Sequence, residues 1–148
     1  MVGGLTQAQD TPDILQLVKA LESEEFLDDP AQIMMWVEIP RSVTKGEVVS
    51  MRITIENARD TDVFKLSSIF LESSFISGFK TLELSPEPRN KSKSLGDLTL
   101  EYPIDIPAGE ARDFEIRLRA KGVGVYIGDV DIYEGEQFLT RAAQIRVQ

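Results

Sequence analysis

The sequence contains no cysteine and no histidine. Those two absences exclude disulfide staples, thiolate nucleophiles, Ser-His-Asp and Cys-His catalysis, and zinc sites built on imidazole or sulfur. Cations are also in deficit: 16 Lys and Arg stand against 25 Asp and Glu, a formal net charge of −9. Phosphate-backbone binding needs a surplus of Lys and Arg to release counterions, so nucleic acid is excluded as the expected partner, and an anionic membrane surface with it. Aromatic residues make up 7% of the chain, with one Trp and three Tyr, which is thin for a carbohydrate platform. No apolar run approaches the ~20 residues of a membrane span. What remains is an ordinary globular balance, 42% hydrophobic and 28% charged over 148 residues. A chain of this size folds as one domain and buries about 68–70% of its unfolded surface, so a core forms without staples.

The charge is unevenly placed. Asp10, Asp13, Glu22, Glu24, Glu25, Asp28 and Asp29 against Lys19 give residues 1–33 six net negative charges, while the remainder is nearly balanced. Residues 1–11 are predicted to be a disordered N-terminus. Leu5-Thr6-Gln7-Ala8-Gln9-Asp10 has the small, polar character found at the end of a bacterial export signal, and a periplasmic or extracellular location is favoured over a cytoplasmic one. Residues 12–33 are predicted to be an acidic amphipathic helix, about 12–26, and a linker. Thr11-Pro12-Asp13 is a helix start, Ile14, Val18 and Leu21 recur at helical spacing with Leu17 beside them, and Asp28-Asp29-Pro30 ends the element.

From about residue 34 the period shortens to two. Val49, Met51, Ile53 and Ile55 alternate with Ser50, Arg52, Thr54 and Glu56, and Phe114, Ile116 and Leu118 alternate with charged residues. Other runs read as strands at Met34–Ile39, Val63–Leu71, Phe75–Leu84, Leu98–Ile106, Val123–Tyr133 and Phe138–Val147. Residues 85–97 read as a long loop. With no helix interrupting these strands, the pattern predicts a mostly β fold over 34–148, an antiparallel Greek-key sandwich of about seven or eight strands.

Four features of that region resemble the bacterial immunoglobulin-like modules of cell-adhesion-related type. They are the Lys45-Gly46-Glu47 turn into Val49–Ile55, the Ile106-Pro107-Ala108-Gly109-Glu110 turn into Phe114-Glu115-Ile116, the Gly124-Val125-Tyr126-Ile127-Gly128 strand, and a final strand that ends the chain. The resemblance implies a tyrosine corner at Tyr126 and puts Gly128 where such domains often carry a cysteine. It departs from the pattern in lacking that cysteine pair and in holding its tryptophan, Trp36, in the first strand. Such modules bind, space or brace other proteins. The expected function is therefore a non-catalytic protein-interaction or structural module of an exported bacterial protein, with no cofactor. A carbohydrate- or calcium-binding sandwich is the alternative.

The candidate surface comes from phase. If Tyr126, Val130 and Ile132 face the core, Val125 and Ile127 face outward, and Ile69 and Leu71 lie opposite in phase to Phe64, Leu66 and Phe70. One sheet is then apolar on both faces, and its outer face must be covered or used. Either Ile14, Val18 and Leu21 of the helix cover it, or a protein partner docks on it. For calcium the candidates are Asp129, Asp131, Glu134 and Glu136 around the last hairpin, and Asp60 with Asp62. For sugar they are Trp36, Tyr102 and Tyr133. Arg89-Asn90-Lys91-Ser92-Lys93 reads as a solvated basic loop.

Overall fold

The computed structural model describes residues 32–148. The predicted N-terminus 1–11 and the helix at 12–26, with Ile14, Val18 and Leu21, lie outside the described residues. Ten strands and one helical turn follow in order: β1 (Ile33–Glu38), β2 (Ser42–Val43), β3 (Val48–Asn57), β4 (Phe64–Leu71), α1 (Ser73–Ile76), β5 (Phe79–Ser85), β6 (Asn90–Ser94), β7 (Asp97–Ile106), β8 (Ala111–Ala120), β9 (Gly124–Glu134) and β10 (Gln137–Val147). They form a four-stranded sheet, β1-β3-β8-β5, and a six-stranded sheet, β2-β10-β9-β4-β7-β6. All pairings are antiparallel except β2 with β10, which is parallel and therefore makes the second sheet mixed.

The alternating strands define the inner faces. Met51, Ile53 and Ile55 of β3 and Phe114, Ile116 and Leu118 of β8 are at most 1% exposed, while Arg52, Glu115 and Arg117 between them face solvent. Across the gap they meet Phe64, Ile69, Leu71, Leu100, Val130, Ile132 and Ile145 of the six-stranded sheet in one core. The tight turns are where expected. Gly109 of the Pro107–Glu110 turn has φ +81°, and its N–H donates to the Asn57 carbonyl at 2.7 Å.

Three segments depart from the sequence reading. The run Phe75–Leu84 is not one strand: α1 occupies its start, and β5 begins at Phe79. Phe75 and Ile76 of that turn are buried, so its apolar residues plug one end of the sandwich and do not pair in a ladder. The 85–97 loop contains strand β6, whose five residues are all exposed. Neither face of β6 is buried, so no alternation marks it. Backbone pairing with β7 holds it, and Lys91 and Lys93 blunt it as an edge. The two-residue β2 is too short to leave any pattern.

Gly128, expected at a cysteine position, has a different structural role. A Cβ there would lie 2.8 Å from the Phe75 backbone nitrogen and 2.7 Å from Ser74 Oγ, so only glycine lets α1 seat against β9. Tyr126 is half-buried, and its hydroxyl donates to the Gly122 carbonyl four residues upstream at 2.9 Å. Its ring meets Phe79 edge-on at 5.7 Å.

Candidate functional site on the outer face of the six-stranded sheet

The outer face of the six-stranded sheet is built from the residues of β4, β9 and β10 whose phase points away from the core. On β9 these are Val125, Ile127, Asp129, Asp131 and Tyr133. On β10 the register places Phe138 opposite Tyr133, Thr140 opposite Asp131, and Arg146 opposite Val125. Val125 and Ile127 are outward as predicted, 49% and 51% exposed.

Ile69 and Leu71 are a correction. Both are fully buried in the core. The β4–β7 register shifts between Leu66 and Ser68, where two steps of β4 span three of β7, and across this bulge the side-chain phase of β4 inverts. Phe64 and Leu66 before the bulge, and Ile69 and Leu71 after it, all point inward. Phe70, assigned to the core by simple alternation, is the outward residue and is half-buried. It pairs with Asp131 in register, next to the Ser68–Tyr133 pair.

The outer face thus has two halves. Near the β9–β10 hairpin, Phe70, Tyr133 and Phe138 surround Asp131. The Tyr133 and Phe138 rings stack at 5.3 Å between centroids. Asp131 is only 9% exposed even though it lies on the outward side of an outer sheet. Burial pushes its carboxyl up to about 6, with a smaller push from Asp129 and Glu72. The Thr140 hydroxyl, donating at 2.6 Å, works in the opposite direction. At the other end, Val125 joins Arg41, Ser42, Gln144, Arg146 and Gln148 around a shallow open groove, with the exposed Ile127 adjoining and Val123, 69% exposed, at the strand's start.

The acidic cluster around the last hairpin is dispersed by the fold. Glu134 turns to Arg59 at 3.1 Å and accepts from the Lys65 amide at 2.9 Å. Asp131 accepts from Thr140, and the Asp129 amide donates to Glu72. Among the described residues no three acidic side chains converge on a point that could hold a metal ion. Of the aromatic candidates, Tyr102 is another correction: it is 1% exposed, and its hydroxyl donates to the Pro86 carbonyl at 2.6 Å, so it anchors the segment before β6 and offers no platform. Trp36 is outward on β1 and 45% exposed, opposite Thr54. In the basic stretch, Arg89 pairs with Glu101 across the β6–β7 hairpin.

Sequence reasoning missed Asn57, a fully buried polar residue. Its side-chain amide donates to the carbonyls of Asp62 and Ile106, each at 2.9 Å, and its Oδ1 accepts from the Arg59 amide at 3.0 Å. It ties the end of β3 to the following loop and to β7, a structural role that its place at a strand end only hints at. Phe70 was missed as a surface residue because of the phase inversion in β4, and Phe138 was read only as the start of the last strand, with no face assigned.

No protein-family model and no curated protein sequence matches the chain. Among solved structures it is similar to the cohesin module of a Clostridium perfringens family 33 glycoside hydrolase, at 12% identity and a TM-score of 0.53, covering 78% of this chain and 96% of that module. It is also similar to part of Escherichia coli alpha-2-macroglobulin in its native conformation, at 17% identity and a TM-score of 0.50, covering 79% of this chain but 7% of that one. At these identities the likeness is one of fold.

Proposed function

We propose that the chain is a non-catalytic protein-binding module of immunoglobulin-like type, part of an exported bacterial protein, and that it grips its partner with the Val123–Val125–Ile127 strip. The observation that carries this reading is the exposure of Val125 and Ile127 side by side in phase, each about half open, beside the groove flanked by Arg41 and Arg146. Apolar side chains aligned on one strand of an outer face favour a docking surface over a solvated one. The two arginines favour a partner segment that is apolar with acidic flanks. The Tyr126–Gly122 bond supports the immunoglobulin-like assignment. The engagement of Glu134, Asp131 and Glu72 in structural bonds supports a binding role over acid–base chemistry. Export draws its support from the Leu5–Asp10 pattern.

Photo-crosslinking in the source cells tests the reading. A crosslinking side chain at Ile127 is expected to trap a discrete partner, and the product is expected to vanish when Val125→Glu is added or when salt is raised. The same group at Arg52, on the outer face of the four-stranded sheet, is expected to trap none. Equal or absent capture from the two positions overturns the proposal.

A further inference from the structure

We infer that the end of the sandwich opposite the β9–β10 hairpin is a docking surface for an anionic lipid bilayer, with Leu95 and Val123 as its apolar tips and Lys45, Lys80, Lys93, Arg119 and Lys121 as its cationic collar. This goes beyond the partner strip: Val123 stands at the foot of that strip, but Leu95 and the collar lie outside it.

The first support is the sorting of charge along the sandwich. The net charge of −9 argues against an anionic surface for the chain as a whole, but the fold does not spread that charge evenly. At the hairpin end stand Asp60, Asp62, Glu110, Glu134 and Glu136. Asp62 and Glu110 lie beside Asn57 at the close of β3, and Glu134 and Glu136 flank Gly135 in the hairpin turn. At the opposite end β3 and β5 begin and β8 finishes. There Lys80 pairs directly opposite Arg119, and Lys121 follows with its amide on the Gly78 carbonyl at 2.8 Å. The Arg119 guanidinium donates to the Gly46 carbonyl at 2.9 Å, next to Lys45. All these cations are exposed. The carboxylates nearby, Glu47, Glu72 and Asp97, accept from the backbone amides of Thr44, Asp129 and Ser73. Like charges directly opposite on neighbouring strands are destabilising, and a layer of lipid phosphates over Lys80 and Arg119 relieves that repulsion.

The second support is the pair of apolar tips. Leu95 is 96% exposed at the turn between β6 and β7, and Val123 is 69% exposed between β8 and β9. Lys93 is two residues before the first, and Lys121 two before the second. The two turns flank α1. A Cβ on Gly96 would lie 3.0 Å from the Ser73 Cβ at the start of α1, and Gly78 just beyond α1 packs on the Tyr126 ring, whose hydroxyl reaches Gly122. Leu95 has φ +54°, a left-handed conformation that leucine rarely adopts, and its side chain is in solvent. Aliphatic tips with cations close behind them match the layering of a bilayer interface, where hydrocarbon lies under a sheet of phosphate.

The third support is what other occupants leave unmet. Head-to-tail contact with a second copy would pair the basic end with the acidic one. However, the large apolar side chains exposed away from the basic end, Trp36 and Leu82, are on the face of the four-stranded sheet, so among the described residues the acidic end has none to receive the tips. A soluble polyanion would engage the collar and leave both tips in water.

Co-sedimentation of the full chain with lipid vesicles tests the inference. Vesicles of phosphatidylcholine with phosphatidylglycerol are expected to carry the protein down at low salt, and vesicles of phosphatidylcholine alone are not. Lys80→Gln and Lys121→Gln are expected to weaken partitioning about fivefold each. Leu95→Asn places a residue that tolerates the left-handed conformation and is expected to weaken it about tenfold. Glu136→Gln, at the acidic end, is expected not to weaken it. These positions are all exposed, so each variant is expected to keep the parent's thermal melt. No sedimentation with either vesicle, equal sedimentation with both, or binding that Leu95→Asn leaves intact overturns the inference. Oligomers that the lysine variants dissolve, without vesicle binding, assign this end to a second copy and overturn it too. Capture of a partner from a crosslinker at Ile127 is expected to persist in Leu95→Asn, which separates this surface from the strip. Its loss would place Leu95 in the protein site and overturn a distinct lipid surface.

Discussion

The two outer faces of this sandwich differ sharply. On the four-stranded sheet the outward residues are mostly charged or small and polar, with Trp36 and Leu82 as the large apolar exceptions: Glu38 lies by Arg52 at 4.0 Å, Arg117 by Glu83 at 3.8 Å, Arg52 opposite Glu115, and Thr54 donates to Asp113 at 2.8 Å. On the six-stranded sheet the corresponding positions hold Phe70, Val125, Ile127, Tyr133 and Phe138, with Asp131 buried among them. The first face is built to meet water. The second is largely apolar and aromatic, and the proposed function rests on that difference.

The sharpest way to break the comparison is at the β4–β7 register shift, which decides what the second face contains. Ile69 and Phe70 are neighbours in sequence on opposite sides of the sheet. Ile69→Ala removes a fully buried side chain and is expected to destabilise by about 2–5 kcal/mol. Phe70→Ala, half-buried and outward, is expected to cost clearly less. Urea unfolding followed by circular dichroism measures both. If Phe70 proves the more costly of the two, the phase is inverted and the outer face has been assigned to the wrong residues.

A smaller effect sharpens the comparison by titration. The Asp131 carboxyl, raised by burial to about 6, holds its proton more tightly in the folded chain than in the unfolded one. The native state therefore binds more protons between roughly pH 4 and 6, and by linkage stability falls as pH rises through that window. The penalty is fully present above pH 6 and absent below pH 4. Asp131→Asn keeps an oxygen to accept from Thr140 and removes the charge. It is expected to stabilise by about 1–2 kcal/mol at pH 8 and by little at pH 4. Melting temperatures of the two proteins at both pH values check this. A gain independent of pH would mean that the carboxyl is not shielded, and the hairpin half of the face would then resemble the other sheet's solvated face.

The contrast between the faces was partly legible in the sequence. The clean alternation of β3 and β8 fixes a half-solvated sheet because each side chain's phase is set by a regular ladder. Val125 and Ile127 were legible for the same reason, being opposite in phase to Tyr126 and Val130 along an unbroken strand. The β4 residues were not, because a bulge leaves no mark in composition: Ser67 and Ser68 fit the alternation as well as any polar pair. The strand β6 escaped because edge pairing by backbone alone imposes no side-chain pattern, and α1 escaped because four residues are too few for a helical period to register. Asp131 read as one of several exposed acids, since only the register with Phe70 and Thr140 buries it.

The smallest expected effect lies on the four-stranded sheet, and it bears on the comparison because it should be nearly nil. Arg117 is half exposed, 3.8 Å from an exposed Glu83, and sits opposite Ser50. An exposed pair at that distance loses in side-chain ordering most of what it gains in attraction, and salt screens the remainder. Arg117→Ala is therefore expected to change unfolding stability by no more than about 0.5 kcal/mol, and the change is expected to shrink further in high salt. Chemical denaturation at low and high ionic strength measures it. A loss well above that value, insensitive to salt, would mean that the arginine stem is packed against something and that the polar face is covered. Both sheets would then present built surfaces, and the outer face of β4, β9 and β10 would lose its claim to be the binding side.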